Sequence, residues 1–191
     1  MMMLVIGLLG FHGLHSIRMV APGFRQNIIT KIGEGTWKGG YSIATLLFLV
    51  LIVMSFRNAQ AQSDILWQLP SWGRHVAFLF MLCAFILIPF NTRSSRFSFI
   101  THHPFLLAIV FWSSAHLLVR SDTASVSLFG SFFLWALINW VSNKRRGGEI
   151  PPVAPLYIDL IAIAGGVIAW FLFFMFGHEW LFGVSPIGAS L

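Results

Sequence analysis
Apolar runs of helix length alternate with short polar stretches along the chain, and the alternation recurs six times. At about 20 apolar residues per bilayer crossing, the runs predict spans near residues 2–20, 39–57, 74–91, 100–119, 124–142 and 157–177. The expected fold is all-α: a polytopic integral membrane helix bundle with about six transmembrane helices, a single domain over residues 1–191. The first run has no basic stretch before it and no small-residue cleavage site after it, so it is expected to be retained as a helix. Pro22 to Lys38 is polar and carries Gly33, Gly35, Gly39 and Gly40, which predicts a loop. The second span contains nothing ionisable and reads as lipid-facing. Trp67 and Trp72 fit an interfacial aromatic belt. Only Arg120 to Thr123 separates the fourth and fifth runs, so these two should be antiparallel neighbours. The segment GGEIPPVAP after Lys144, Arg145 and Arg146 is expected to be non-helical, and Gly165-Gly166 should let another helix approach closely.

Charge sets a direction for this pattern. Arg18, Arg25, Lys31, Lys38, Arg93, Arg96, Lys144, Arg145 and Arg146 fall in alternate loops, against Arg57, Arg74 and Arg120 in the others. By the positive-inside rule the first set is cytoplasmic, which puts both termini on the periplasmic side of a bacterial inner membrane. The net charge of +6 is therefore a topology signal, and nucleic acid is excluded as a partner; membrane lipid is the expected surrounding. Charged residues make up 9% of the chain, far below the usual quarter or so of a soluble domain. The single cysteine, Cys83, rules out an internal disulfide and a CxxC site, and fits a small buried hydrophobe.

Candidate chemistry rests on seven histidines: His12, His15, His75, His102, His103, His116 and His178. Ionisable groups inside spans mark functional sites by default. Counted by depth they form two levels, with His12, His15, His102 and His103 toward the cation-rich end and His75, His116 and His178 toward the other. Zinc usually takes three or four ligands, often thiolate or carboxylate, and most acidic residues here lie in loops. Haem needs only one or two imidazoles and an apolar, aromatic pocket, so the composition favours haem. His15 and His116 lie deepest among apolar neighbours. His12 and His15 share one face, while His102 either caps the helix ahead of Pro104 or pairs with His116 on a common face. Depth pairs His15 more easily with His103 than with His116. Arg18, one turn beyond His15, either snorkels to the headgroups or binds a haem propionate; Arg93, Arg96 and Arg120 admit the same two readings. His75 and His178 read as structural.

The motifs GLHSIRMVAP (13–22), HPFLLAIVFWSSAHLLVRSD (103–122) and SLFGSFFLWAL (127–137) resemble those of the NnrU family, whose plant relative is the 15-cis-zeta-carotene isomerase. The resemblance implies a haem b protein with His15 and His116 as axial ligands and His103 as a further motif histidine. In bacteria it implies a link to denitrification and nitric oxide metabolism; in the plant relative, redox-controlled cis–trans isomerisation of a polyene. Two positions depart from the pattern: Arg120-Ser121 stands where the family often has Asn-Gly, and Ser113 where the plant isomerase has a cysteine. Three functions are thus expected to compete: a haem-dependent isomerase, a haem electron carrier or nitric oxide sensor working beside respiratory or denitrification proteins, and a cofactor-free membrane scaffold or assembly factor.

Overall fold
A computed structural model describes residues 1–92, 95–146, 153 and 155–187. The helices are α1 (Met2–Val20), α2 (Pro22–Ile32), α3 (Glu34–Ala61), α4 (Gly73–Leu87), α5 (Arg96–Thr101), α6 (Pro104–Leu117), α7 (Thr123–Arg146), α8 (Leu156–Leu172) and α9 (His178–Phe182). A 3-10 turn, Ile88–Thr92, continues α4, and a π-helical turn, Phe173–Gly177, joins α8 to α9. Among the described residues, five helical stretches are long and apolar enough to cross a membrane, and α6 is a shorter apolar helix. The chain is therefore a helical membrane bundle.

Side-chain contacts fix how the helices run. On α1 and α3, Gly7 meets Ile52, Gly10 meets Phe48 and His15 meets Tyr41, so the two are antiparallel. On α1 and α7, His12 pairs with Ser131 and Ser16 with Trp135 at the same sequence offset of 119, so these are parallel. Phe129 and Phe132 of α7 meet His116 and Trp112 of α6, while Trp140 Nε1 donates to Thr101 O, which makes α6 antiparallel to α7. Phe80 meets Phe111, which sets α4 beside α6, and Phe78 meets Phe174, which sets α8 beside α4. The helices form a row in which α7 joins the α1–α3 pair to α6, α4 and α8. The start of α1 and the end of α9 lie at one end of the row, opposite Arg18, Lys38, Arg96 and Lys144. Small residues line the close contacts, as expected where van der Waals packing holds helices together in lipid: Ala59 and Ala124 in one core cluster, Ala84 and Ala108 in the other.

Several expectations need correction. The polar stretch after α1 is helical: α2 starts with Pro22 at its first turn and stops at Gly33, whose φ of 85° suits glycine. Gly35, Gly39 and Gly40 lie within α3, which begins at Glu34; glycine weakens a helix interior by only about 0.5–1 kcal/mol each, which does not stop this 28-residue helix. The fourth run is broken, because α5 ends at Thr101 and α6 starts at Pro104. With 14 residues, α6 is about 21 Å long and falls short of the ~30 Å hydrocarbon core. Its exit is followed by irregular backbone paired with the segment after α3: Leu66 N donates to Ser121 O (2.9 Å), Thr123 N to Asp64 O (3.0 Å) and Ala124 N to Ser63 Oγ (3.0 Å). Such pairing is what lets non-helical backbone sit within a bundle. The cluster Lys144–Arg146 is the end of α7 rather than a loop. Most of the segment after it, 147–152 and 154, and also Arg93, lie outside the described residues. Gly166 meets the backbone of α4 at Phe85 and Ile86, whereas Gly165 meets nothing. Cys83 is half-buried.

Candidate functional site
The centre of the site is the aromatic face of α7. Ser131 and Trp135 face α1, Phe129 faces α6, and Phe132 touches both sides, meeting Phe11 and His12 of α1 and Trp112 of α6. α1 and α6 therefore flank one aromatic face of α7, where Trp112, Phe129, Phe132 and Trp135 pack against the histidines. Into this region the fold brings His12 and His15 from one side and His116 from the other.

His15 and His116 are held in the same way. His15 Nδ1 lies 2.8 Å from Phe11 O and His116 Nδ1 2.8 Å from Trp112 O, each bond reaching back four residues along its own helix. A carbonyl only accepts, so in the neutral imidazole Nδ1 carries the proton and Nε2 keeps a lone pair; the tautomer is assigned from this network. Stacking fixes the ring planes: His15 on Phe11 at 4.2 Å and 25°, His116 on Phe129 at 4.3 Å and 18°. Tyr41 and Trp135 make edge contacts to His15 at 5.6 and 5.9 Å. A fixed Nδ1–H with a bare Nε2 is the arrangement in which histidines ligate metals.

His12 has the opposite tautomer. Ser131 Oγ donates to Leu128 O at 2.8 Å, so at 3.2 Å it accepts from His12 Nε2–H. That leaves His12 Nδ1 as a buried acceptor without a partner. His12 thus joins this face as a third imidazole, which its helical spacing from His15 foreshadowed. His103 is the residue at which α6 begins, just before Pro104. His102 ends α5 with a positive φ of 61°, so it caps the preceding helix rather than α6.

The histidines do not fall into two levels. On α7, His116 lies beside Phe129, His12 beside Ser131, His15 near Trp135, and Thr101, two residues before His103, beside Trp140. At 1.5 Å per residue, His15 stands roughly 8 Å along α7 from His116 and roughly 6 Å from His103. The two separations are similar, so both histidines lie within reach in depth. The residue count misplaced His116 because it assumed a full-length fourth span, whereas α6 stops well short of one. His75 shares the level of His116 through the α4–α6 contacts of Phe80 and Gly73. His178 Nδ1 binds Val184 O at 2.7 Å in the turn after α9.

Among the described residues no three or more His, Cys, Asp or Glu side chains gather as a metal-ion cage. Two imidazoles whose Nδ1 is tied and whose Nε2 keeps a lone pair are the donor type that haem iron takes. Ser113 does not add a ligand, since its hydroxyl bonds Ile109 O at 2.7 Å and Val110 O at 3.1 Å within α6. Arg18 stands exposed in the last turn of α1. Arg96 neither snorkels freely nor joins the aromatic face of α7: Nη1 pairs at 3.0 Å with Asp159, a carboxylate only 2% exposed near the start of α8. Arg120 pairs with Asp122 at 3.5 Å. Sequence reading passed over Asp159, although an acid inside an apolar run is itself a signal.

A family model described as "NnrU protein" matches residues 3–186 of the chain. Comparison with curated proteins and with solved structures yields no match.

Proposed function
The chain belongs to the NnrU family, and from that premise we propose that it is a haem b-binding membrane protein of isomerase type acting on a polyene. The observation that carries this reading is the matched pair His15 and His116, each with Nδ1–H tied to its own helix and Nε2 free beside one aromatic face. Bound there, a haem would supply a redox-active, Lewis-acidic iron. The two imidazoles would hold it from α1 and α6. Phe129, Phe132, Trp112 and Trp135 would keep water out and offer flat apolar contact to a polyene. The excess of Arg and Lys at one end of the bundle supports a bacterial inner-membrane orientation with both termini periplasmic.

A second reading, an electron carrier or nitric oxide sensor serving denitrification proteins, draws on Ser113. No thiol stands where the plant relative has one, and the serine hydroxyl is engaged within its own helix, so ligand exchange through that position is closed. Absorption spectra of the purified full chain, oxidised and dithionite-reduced, with and without carbon monoxide, separate the readings. Carbon monoxide binding only after reduction supports an iron that opens for substrate or gas; indifference to carbon monoxide supports electron transfer. Absence of haem from protein expressed with ample haem supply refutes both and leaves the scaffold.

A further inference from the structure
The bends at Ala21 and Gly33 set α2 apart from both neighbouring helices. At Ala21 the backbone leaves helical geometry (φ −135°, ψ 58°), and Gly33 (φ 85°, ψ 154°) breaks the path into α3. α2 contacts α1 and α3 yet buries no residue. It also joins the end of α1 to the start of α3, which are antiparallel neighbours, so its 11 residues, about 16 Å, lie at the end of that pair. On its helical wheel Phe24, Ile28 and Ile32 form one stripe, with Lys31 on one edge and Arg25 on the other. Phe24 is 59% and Ile32 48% exposed. At the end of a membrane bundle such a stripe meets acyl chains, and cations on its edges meet headgroups.

The charges point the same way. Lys38 is neutralised by Glu34 at 2.9 Å. Arg18 and Lys31 are exposed, Arg25 is half-buried, and none of the three has an ion-pair partner among the described residues. Lys144 and Arg145 lie in the same layer, because the α1–α7 offset carries the end of α7 beyond the end of α1. They sit on a spanning helix, however, with Lys144 over the Trp140 ring.

We propose that α2 is an in-plane helix that binds the phosphate of anionic phospholipid through Arg18, Arg25 and Lys31 while Phe24 and Ile32 enter the acyl layer. The bound lipid would tie the end of α1, one turn beyond His15, to the start of α3.

Native mass spectrometry of the full chain in neutral detergent, with phosphatidylglycerol and phosphatidylcholine of identical acyl chains, tests this. Wild type should prefer phosphatidylglycerol, and each of Arg18→Gln, Arg25→Gln and Lys31→Gln should lower that preference about fivefold, with haem content unchanged. An unaltered preference in the triple variant overturns the proposal. So does an equal loss in Lys144→Gln/Arg145→Gln, which would mean diffuse charge, or haem loss with unchanged lipid preference, which would return Arg18 to a propionate. Spin labels at Phe24→Cys and Gln26→Cys, each in a Cys83→Ser background and in phosphatidylglycerol nanodiscs, give an independent reading. Oxygen should reach position 24 and a water-soluble nickel chelate position 26, which lies on the opposite face of α2; equal chelate access at both overturns the in-plane placement.

Discussion
Two adjacent glycines on α8 offer a sharp test of the packing. A Cβ on Gly166 would lie 2.8 Å from both Ile86 Cα and Phe85 O, which are backbone atoms of α4, while a Cβ on Gly165 meets nothing within 4 Å. Overlap of this kind forces the helices apart or bends one of them, at about 1–3 kcal/mol. In both positions Gly→Ala also removes the glycine penalty of roughly 0.5–1 kcal/mol in a helix interior. Gly165→Ala should therefore be neutral or stabilising, and Gly166→Ala should fall below it by the overlap alone, about 1–3 kcal/mol. Unfolding by titrated sodium dodecyl sulfate in mixed micelles, followed by tryptophan fluorescence, measures the difference directly. The two variants share composition, helix and depth, so most nonspecific effects cancel. Equal midpoints, or a lower one for Gly165→Ala, would refute the α4–α8 contact.

Two further outcomes follow from single residues. His102 is the only non-glycine residue with positive φ among those described, so His102→Gly should raise stability by about 1 kcal/mol in the same titration, with the haem spectrum unaltered. Asp159→Ala removes a buried acceptor from Arg96; because the Arg96 side chain is 48% exposed and can turn to water, the loss should be about 2 kcal/mol, and Asp159→Asn should recover part of it.

Much of this architecture was legible in the apolar runs, because lipid imposes length and hydropathy on any helix that crosses it. α1, α4 and α7 match their expected spans closely, and Arg18, Lys38, Arg96 and Lys144 lie at the end of the bundle away from the start of α1 and the end of α9. What failed was local. Glycines and polar side chains hid α2 and the first turns of α3, since amphipathic surface helices need neither a long apolar run nor strong propensity. The break at His102 and His103 was hidden for the opposite reason: Phe99 to Val119 reads as one apolar stretch, and Pro104 suits a helix start as well as an interior kink. Equal-length spans were assumed, and a 14-residue α6 shifted His116 toward His12. At the candidate site the imidazoles were legible individually, and the carbonyl four residues before each is a property of any helix. The aromatic face of α7 that gathers them, and the Arg96–Asp159 pair, depend on helix packing between distant segments.

The central claim is that His15 and His116 hold one haem. The decisive measurement is the haem-to-protein ratio, with the oxidised and reduced spectra, of His15→Ala, His116→Ala, His103→Ala and His75→Ala, each purified at matched expression. Loss of low-spin haem in the first two variants, with near wild-type ratios and bands in the last two, is the predicted result. Retention in His116→Ala with loss in His103→Ala, or full retention in His15→Ala, would contradict it.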